Sequence, residues 1–250
     1  VHAIERLRWV AQAEWAPAEE VASEAAWALA ELAYDEPMAV LPACRRLLQR
    51  HPACGPMWWV AAHVLGSADP EGSAAHCADL LLSDPTEEVL VEALSAVPRA
   101  VRRGSLADVA GAEVVVVTAE AVGPPAMVLT SDRRTLVEAA LQLEVPIWLV
   151  AGVGRVLPPG LWRSLSNRLV SDSTDPVSGG TDPVSGGTDL VQDPVVVVPR
   201  GPSRGAAPVL LASLRGVARV VGPQGAAPPG QALAATPCPE PAELVHIGGW

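Results

Sequence analysis

The chain has 250 residues, half of them apolar and 18% charged, which is enough to bury a substantial core and too apolar for a disordered chain. Its 17 basic residues, every one Arg, stand against 28 acidic ones for a net charge of −11, which argues against a nucleic-acid partner, since that needs clustered positive charge. The chain contains no Lys, so Schiff-base chemistry and a Walker-type phosphate lysine are excluded.

Val1–Val10 carries Glu5, Arg6 and Arg8 throughout and lacks the apolar stretch of a signal peptide. From there to Gly66 the pattern is helical. Ala18–Ala33 is rich in Ala and Glu, with Val21, Ala25, Leu29 and Leu32 near the helical period. Leu41, Cys44, Leu47 and Leu48 form a second stripe, and Pro56 opens a third helix that Gly66 closes. A helical bundle over residues 1–77 follows from this pattern.

Ala78–Ser83 is a short apolar run that reads as a strand. Asp84-Pro85-Thr86-Glu87 then starts a helix by capping-box logic, running to about Leu94. Glu113–Thr118 holds four consecutive Val, as in a strand covered on both faces of a parallel sheet. Gly123-Pro124-Pro125 makes a turn, Asp132–Leu143 a helix, and Ile147–Ala151 the next strand. TDPVSGG occurs twice in tandem from Thr174, and a Gly/Ser/Pro/Asp repeat of this kind predicts a mobile loop over about 171–194. Beyond it, Val195–Val198 reads as a strand, Pro208–Leu214 as a short helix and Val217–Val221 as a strand. The expected fold is α/β: a helical bundle, then a Rossmann-like domain over 78–250 with five or six mainly parallel strands.

The apolar runs fall far short of the roughly 20 residues that span a bilayer. The four Cys form no CxxC pair and the five His show no metal-ligand spacing, so neither disulfides nor a metal or other cofactor is expected. Reduced thiols suit a cytoplasmic protein.

In such folds ligands bind beyond the carboxyl ends of the strands. The turn holding Asp84 and Thr86 is either a helix cap or a ligand contact, because helix N-termini attract anions that the local carboxylates oppose. Thr118 and Glu120 end the Val-rich strand, where Glu120 is placed either as a general acid or base or as a loop cap. Arg133 and Arg134 open the next helix, where the dipole disfavours cations, and this misfit points to a phosphate clamp. Gly152-Val153-Gly154-Arg155 and the RGPSR segment at 200–204 are weaker candidates for phosphate contact.

Three stretches resemble the α/β/δ subunit family of translation initiation factor 2B, which also contains methylthioribose-1-phosphate and ribose-1,5-bisphosphate isomerases. They are Arg50–Leu65 (RHPACGPMWWVAAHVL), Gly111–Ala151 (GAEVVVVTAEAVGPPAMVLTSDRRTLVEAALQLEVPIWLVA) and Thr236–Trp250 (TPCPEPAELVHIGGW). The resemblance implies a strand, a hairpin-like excursion, a helix and a strand across Gly111–Ala151, and homo-oligomers formed through this domain. Where the isomerases carry a catalytic aspartate, this chain has Thr118-Ala119-Glu120. Their Asn-Lys-x-Gly-Thr falls near Leu129–Arg133 and is lost, and their cysteine would lie near Ser83-Asp84, where there is none. The resemblance thus implies a diverged, non-catalytic or regulatory protein that binds a sugar phosphate or nucleotide, with a working aldose–ketose isomerase or a purely structural module as the alternatives. The family also places two more strands between Leu94 and Glu113, and the strands at Val195–Val221 are expected to take their place in a rewired sheet.

Overall fold

In the computed structural model the described residues are 2–13, 16–104, 106–173, 195–197, 209–235 and 237–245. The TDPVSGG repeats, the RGPSR segment, Thr236 and the tail from His246 lie outside them.

Six helices precede the first strand among the described residues: α1 (Ala3–Val10), α2 (Ala18–Asp35), α3 (Val40–Arg50), α4 (Gly55–Gly66), α5 (Pro70–Leu82) and α6 (Thr86–Leu94). Small side chains let α2 sit at the centre, where Ala22, Ala25, Ala26, Ala28 and Leu29 are fully buried. A helix apolar nearly all round belongs in a core. The same holds for α4, which buries Trp58, Trp59, Val60, Ala62 and Val64.

The run Ala78–Ser83 is a helical segment, not a strand. Asp69 caps α5 by accepting from the Gly72 N–H at 3.0 Å, and Pro70 occupies the first turn. Ala74, Cys77, Ala78 and Leu81 are then buried at helical spacing, while Leu82 is 66% exposed. A six-residue apolar run cannot by itself distinguish a strand from the end of a buried helix, and here the upstream cap decides.

Two sheets follow. Sheet A has the order β1 (Ala100–Val101), β2 (Val114–Thr118), β5 (Ile147–Val150), β8 (Val217–Gly222) and β9 (Gly225–Ala227). Its first four strands are parallel, with Val116 beside Trp148 and Trp148 beside Arg219, and only β9 runs antiparallel. Helix α6 covers one face, over Val114, Val116 and Trp148. On the other face α7 (Leu106–Ala110) and α8 (Arg134–Gln142) pack on Val115, Val117, Ile147 and Leu149.

Sheet B was not anticipated as a separate layer. It is antiparallel, in the order β3 (Ala121–Val122), β4 (Ala126–Thr130), β7 (Val209–Ser213) and β6 (Val195–Val197). The hairpin of β3 and β4 is the excursion that the family resemblance implies. Within the segment expected to be a short helix, Val209–Ser213 is a strand. Its alternation explains this: Leu210 and Ala212 face the core of sheet A, while Val209 and Leu211 face the helices. In β4, Met127 and Leu129 likewise face one way and Ala126 and Val128 the other. Sheet B is therefore a partition, buried on both sides, between the helical bundle and the parallel sheet. Of the later strands, β8 joins sheet A beside β5, while β6 and β7 pair in sheet B.

Helix α9 (Pro159–Ser173) closes the bundle with Leu161, Trp162, Leu165 and Leu169. The segment before α11 (Ala242–Val245) holds it down, because Glu240 accepts from the Gly160 N–H at 2.6 Å and Leu244 is fully buried. The short α10 (Pro229–Ala234) lies against β8. Among the described residues no helix is long and apolar enough to cross a membrane.

Candidate functional site at the carboxyl edge of the parallel sheet

Chain direction puts the ends of β1, β2 and β5 and the starts of α6 and α8 along one edge. The residues there divide into three groups, each tied down by its own partners.

The first group is built on Asp84. One of its oxygens accepts from the main-chain N–H of Thr86 at 2.9 Å and from the Thr86 hydroxyl. The other accepts from the Val153 N–H at 2.8 Å, in the turn after β5. Gly152 is required there, since a Cβ would stand 2.2 Å from the Asp84 carboxylate. Asp84 thus caps α6 and staples it to the β5 turn, and Thr86 is buried beneath it. A carboxylate already occupies the helix N-terminus where an anion would bind.

The second group surrounds Arg155, whose side chain is 5% exposed. Its guanidinium donates to the Ala119 carbonyl and pairs with Glu19 on α2 and, at 3.5 Å, with Glu120. Burial opposes a charge here, but Glu120 and Glu19 outweigh it and hold Arg155 above its usual pKa. Burial likewise works against the Glu19 carboxylate, and Arg155 overrides it to bring its pKa below the usual value. Glu120 is fixed at the backbone as well: its N–H donates to Val128 at 2.7 Å and its carbonyl accepts from Gly55 at 3.0 Å. A Cβ on Gly55 would stand 2.6 Å from that carbonyl, so only Gly lets α4 approach. Glu120 is the joint where sheet A, sheet B and the bundle meet. Beside it, burial pushes the Cys54 thiol up to about 12, so it is not a nucleophile at neutral pH.

The third group lies at the ends of β1 and β2. Arg102 forks onto Glu87 with both contacts at 2.9 Å, and this hydrogen-bonded pairing keeps the Glu87 carboxyl below its usual pKa. Arg133 donates to the Arg102 carbonyl at 3.0 Å, which brings the starts of α6 and α8 together across the edge. Thr118 is exposed at the end of β2. Arg134 is elsewhere, pairing along its own helix with Glu138 at 2.6 Å.

Of the residues picked from sequence, Asp84 and Thr86 share one cluster, Thr118 and Arg133 lie along the open edge, and Glu120 faces inward. Arg155 is the residue that organises the interior, and its only sequence signal was an Arg closing a Gly-x-Gly turn after a strand. Glu19 had no signal at all, being one acid among many on an Ala/Glu-rich helix. Among the described residues no group of three or more His, Cys, Asp or Glu could hold a metal ion.

No protein-family model matches the chain. No curated protein matches its sequence. Solved structures do. Translation initiation factor eIF-2B of Pyrococcus horikoshii OT3 superposes with a TM-score of 0.59 at 11% identity, over 92% of this chain and 98% of that one. The eIF2B beta subunit of Chaetomium thermophilum gives 0.59 at 10% identity, over 91% and 88%. The tetrameric eIF2B-beta2-delta2 complex of C. thermophilum gives 0.58 at 11%, over 92% of each. Identities this low speak of fold alone, and the fold of this chain is that of the initiation factor 2B subunits.

Proposed function

We propose that this protein is a non-catalytic, regulatory member of the initiation-factor-2B-like class that binds a phosphorylated small molecule, a sugar phosphate or a nucleotide, at the carboxyl edge of sheet A. The observation that carries the non-catalytic reading is the engagement of Glu120. A general acid or base must be free to exchange a proton with substrate, whereas this carboxylate is held by a buried guanidinium and its backbone is bonded at both ends. Asp84, the other acid near the edge, is spent on three hydrogen bonds.

The open edge supports the binding reading. Arg102, just after β1, and Arg133, at the start of α8, are joined by a hydrogen bond, and Thr118 is exposed at the end of β2. Among the described residues Arg133 is paired only with the exposed Asp132, at 3.5 Å, and Arg is the side chain best shaped to fork onto phosphate. Glu87 on Arg102 would be the group displaced. The proposed ligand contacts are Thr118 and Arg133 together with Arg102, while Asp84 and Thr86 hold the frame. The fold shared with subunits of a tetrameric complex supports an oligomer, for which we propose a homo-oligomer, and free cysteines support a cytoplasmic setting.

Thermal melting with ribose 5-phosphate, ribose 1,5-bisphosphate and adenosine monophosphate tests this. A ligand held at about 100 times its dissociation constant stabilises by roughly 2.7 kcal/mol, a rise of about 5–10 °C for a chain of this size. The rise is expected with at least one phosphate compound and is expected to vanish in Arg133→Ala. No rise with any of them contradicts the binding reading.

A further inference from the structure

We propose that the groove between α2 and α5 is a docking site for an arginine-bearing basic segment of a protein partner. The groove has a volume of about 650 Å³, within the range of ligand-binding clefts. It lies in the helical bundle, on elements other than those of the strand edge discussed above, and the inference does not depend on that site.

The sequence of α2 builds the groove. Trp27, Ala30, Tyr34 and Asp35 line it at spacings that share one helix face. Ala30 together with Gly72 and Ala75 across on α5 leaves the floor shallow. The two aromatic rings form the walls, and Tyr34 is 75% exposed. Tyr34 stands in the last turn of α2, beyond its buried central turns, and extends the aromatic wall begun by Trp27 into solvent.

Charge selects the occupant. Four carboxylates line the groove and no basic side chain does. Two are already in use, because Glu31 pairs with Arg6 at 3.0 Å and Asp69 caps α5. Asp35 and Glu71 are exposed and make no ion pair or hydrogen bond among the described residues. Aromatic walls beside free carboxylates fit a guanidinium, which stacks on a ring face and forks onto a carboxylate with the same planar group. A hydrated divalent cation would use the carboxylates and ignore the rings. A phosphorylated or acidic segment would be repelled.

Fluorescence anisotropy with a labelled hexa-arginine peptide tests the proposal, read at about 50 and 300 mM salt to vary screening. The intact protein is expected to bind it, more weakly at the higher salt. Asp35→Asn with Glu71→Gln is expected to weaken binding about ten-fold or more, and Tyr34→Ala to weaken it several-fold at unchanged charge. Glu88→Gln with Glu92→Gln removes the same two charges from exposed positions on α6, and is expected to change binding less than about two-fold. Equal loss in both double variants would mean bulk attraction to an acidic protein and overturns the proposal. So does full binding by Tyr34→Ala, or no binding by the intact protein. Sedimentation of an oligomer that Tyr34→Ala dissociates, with no peptide bound, would assign the groove to a second copy instead and also overturns it.

Discussion

Arg155 shows how one side chain can decide what its neighbours do. A buried guanidinium is tolerated only when paired, and removing one member of a buried pair leaves the other charge stranded. Arg155→Ala leaves Glu19 and Glu120 without their partner, and since both carboxylates are partly exposed we expect a loss of about 1–3 kcal/mol in chemical denaturation. The pH dependence has a definite sign. Glu19 has its folded-state pKa below the ordinary value of 4.5, so its contribution is complete above that value and disappears as pH falls through the folded pKa. Acid unfolding curves of the intact protein should therefore drop below about pH 4.5. In Arg155→Ala that drop should be shallower, and an unchanged acid limb would remove Arg155 as the cause. The acid at Glu120 was legible from the sequence, since it ends a Val-rich strand. Its pairing was not, because Arg155 lies 35 residues from Glu120 and 136 from Glu19 and no local pattern joins the three.

At the scale of elements, periodicity located most helices and the parallel strands β2, β5 and β8, where burial on one or both faces leaves a plain imprint. It failed at Ala78–Ser83 and at Val209–Ser213, both short apolar runs without their own caps. A helix and a strand over Ala78–Ser83 differ in which residue shares a face with the fully buried Ala78: Leu81 in the helix, Leu80 and Leu82 in a strand. Leu81 is 4% exposed and Leu82 66%, so Leu81→Ala is expected to cost about 2–5 kcal/mol and Leu82→Ala less than about 0.5 kcal/mol. Comparable costs at both would contradict the helix. The staple at Asp84 joins α6 to the turn after β5. Asp84→Ala gives up three hydrogen bonds, one of them across 69 residues, and is expected to cost about 2–3 kcal/mol in the same experiment. Hydrogen exchange should show faster opening at Thr86 and Val153 together. Faster exchange at Thr86 alone would mean a local cap without the staple.

Across the whole molecule, sheet B makes the design intelligible. Its strands are apolar on both faces and divide one core into two, so the helical bundle is bound to the parallel sheet through β3, β4 and β7. Sequence reading missed this layer because its strands are short, alternate between two apolar faces and come from distant parts of the chain. The partition fixes Glu120 at the junction while leaving the end of β2 open at Thr118. The proposal of binding without catalysis rests on that contrast. Phosphorus NMR of ribose 5-phosphate incubated with the protein tests both halves at once. Binding without turnover gives a resonance that broadens on adding protein, sharpens again with Arg133→Ala, and yields no second signal over time. Growth of a new phosphate resonance that Glu120→Gln abolishes would contradict it.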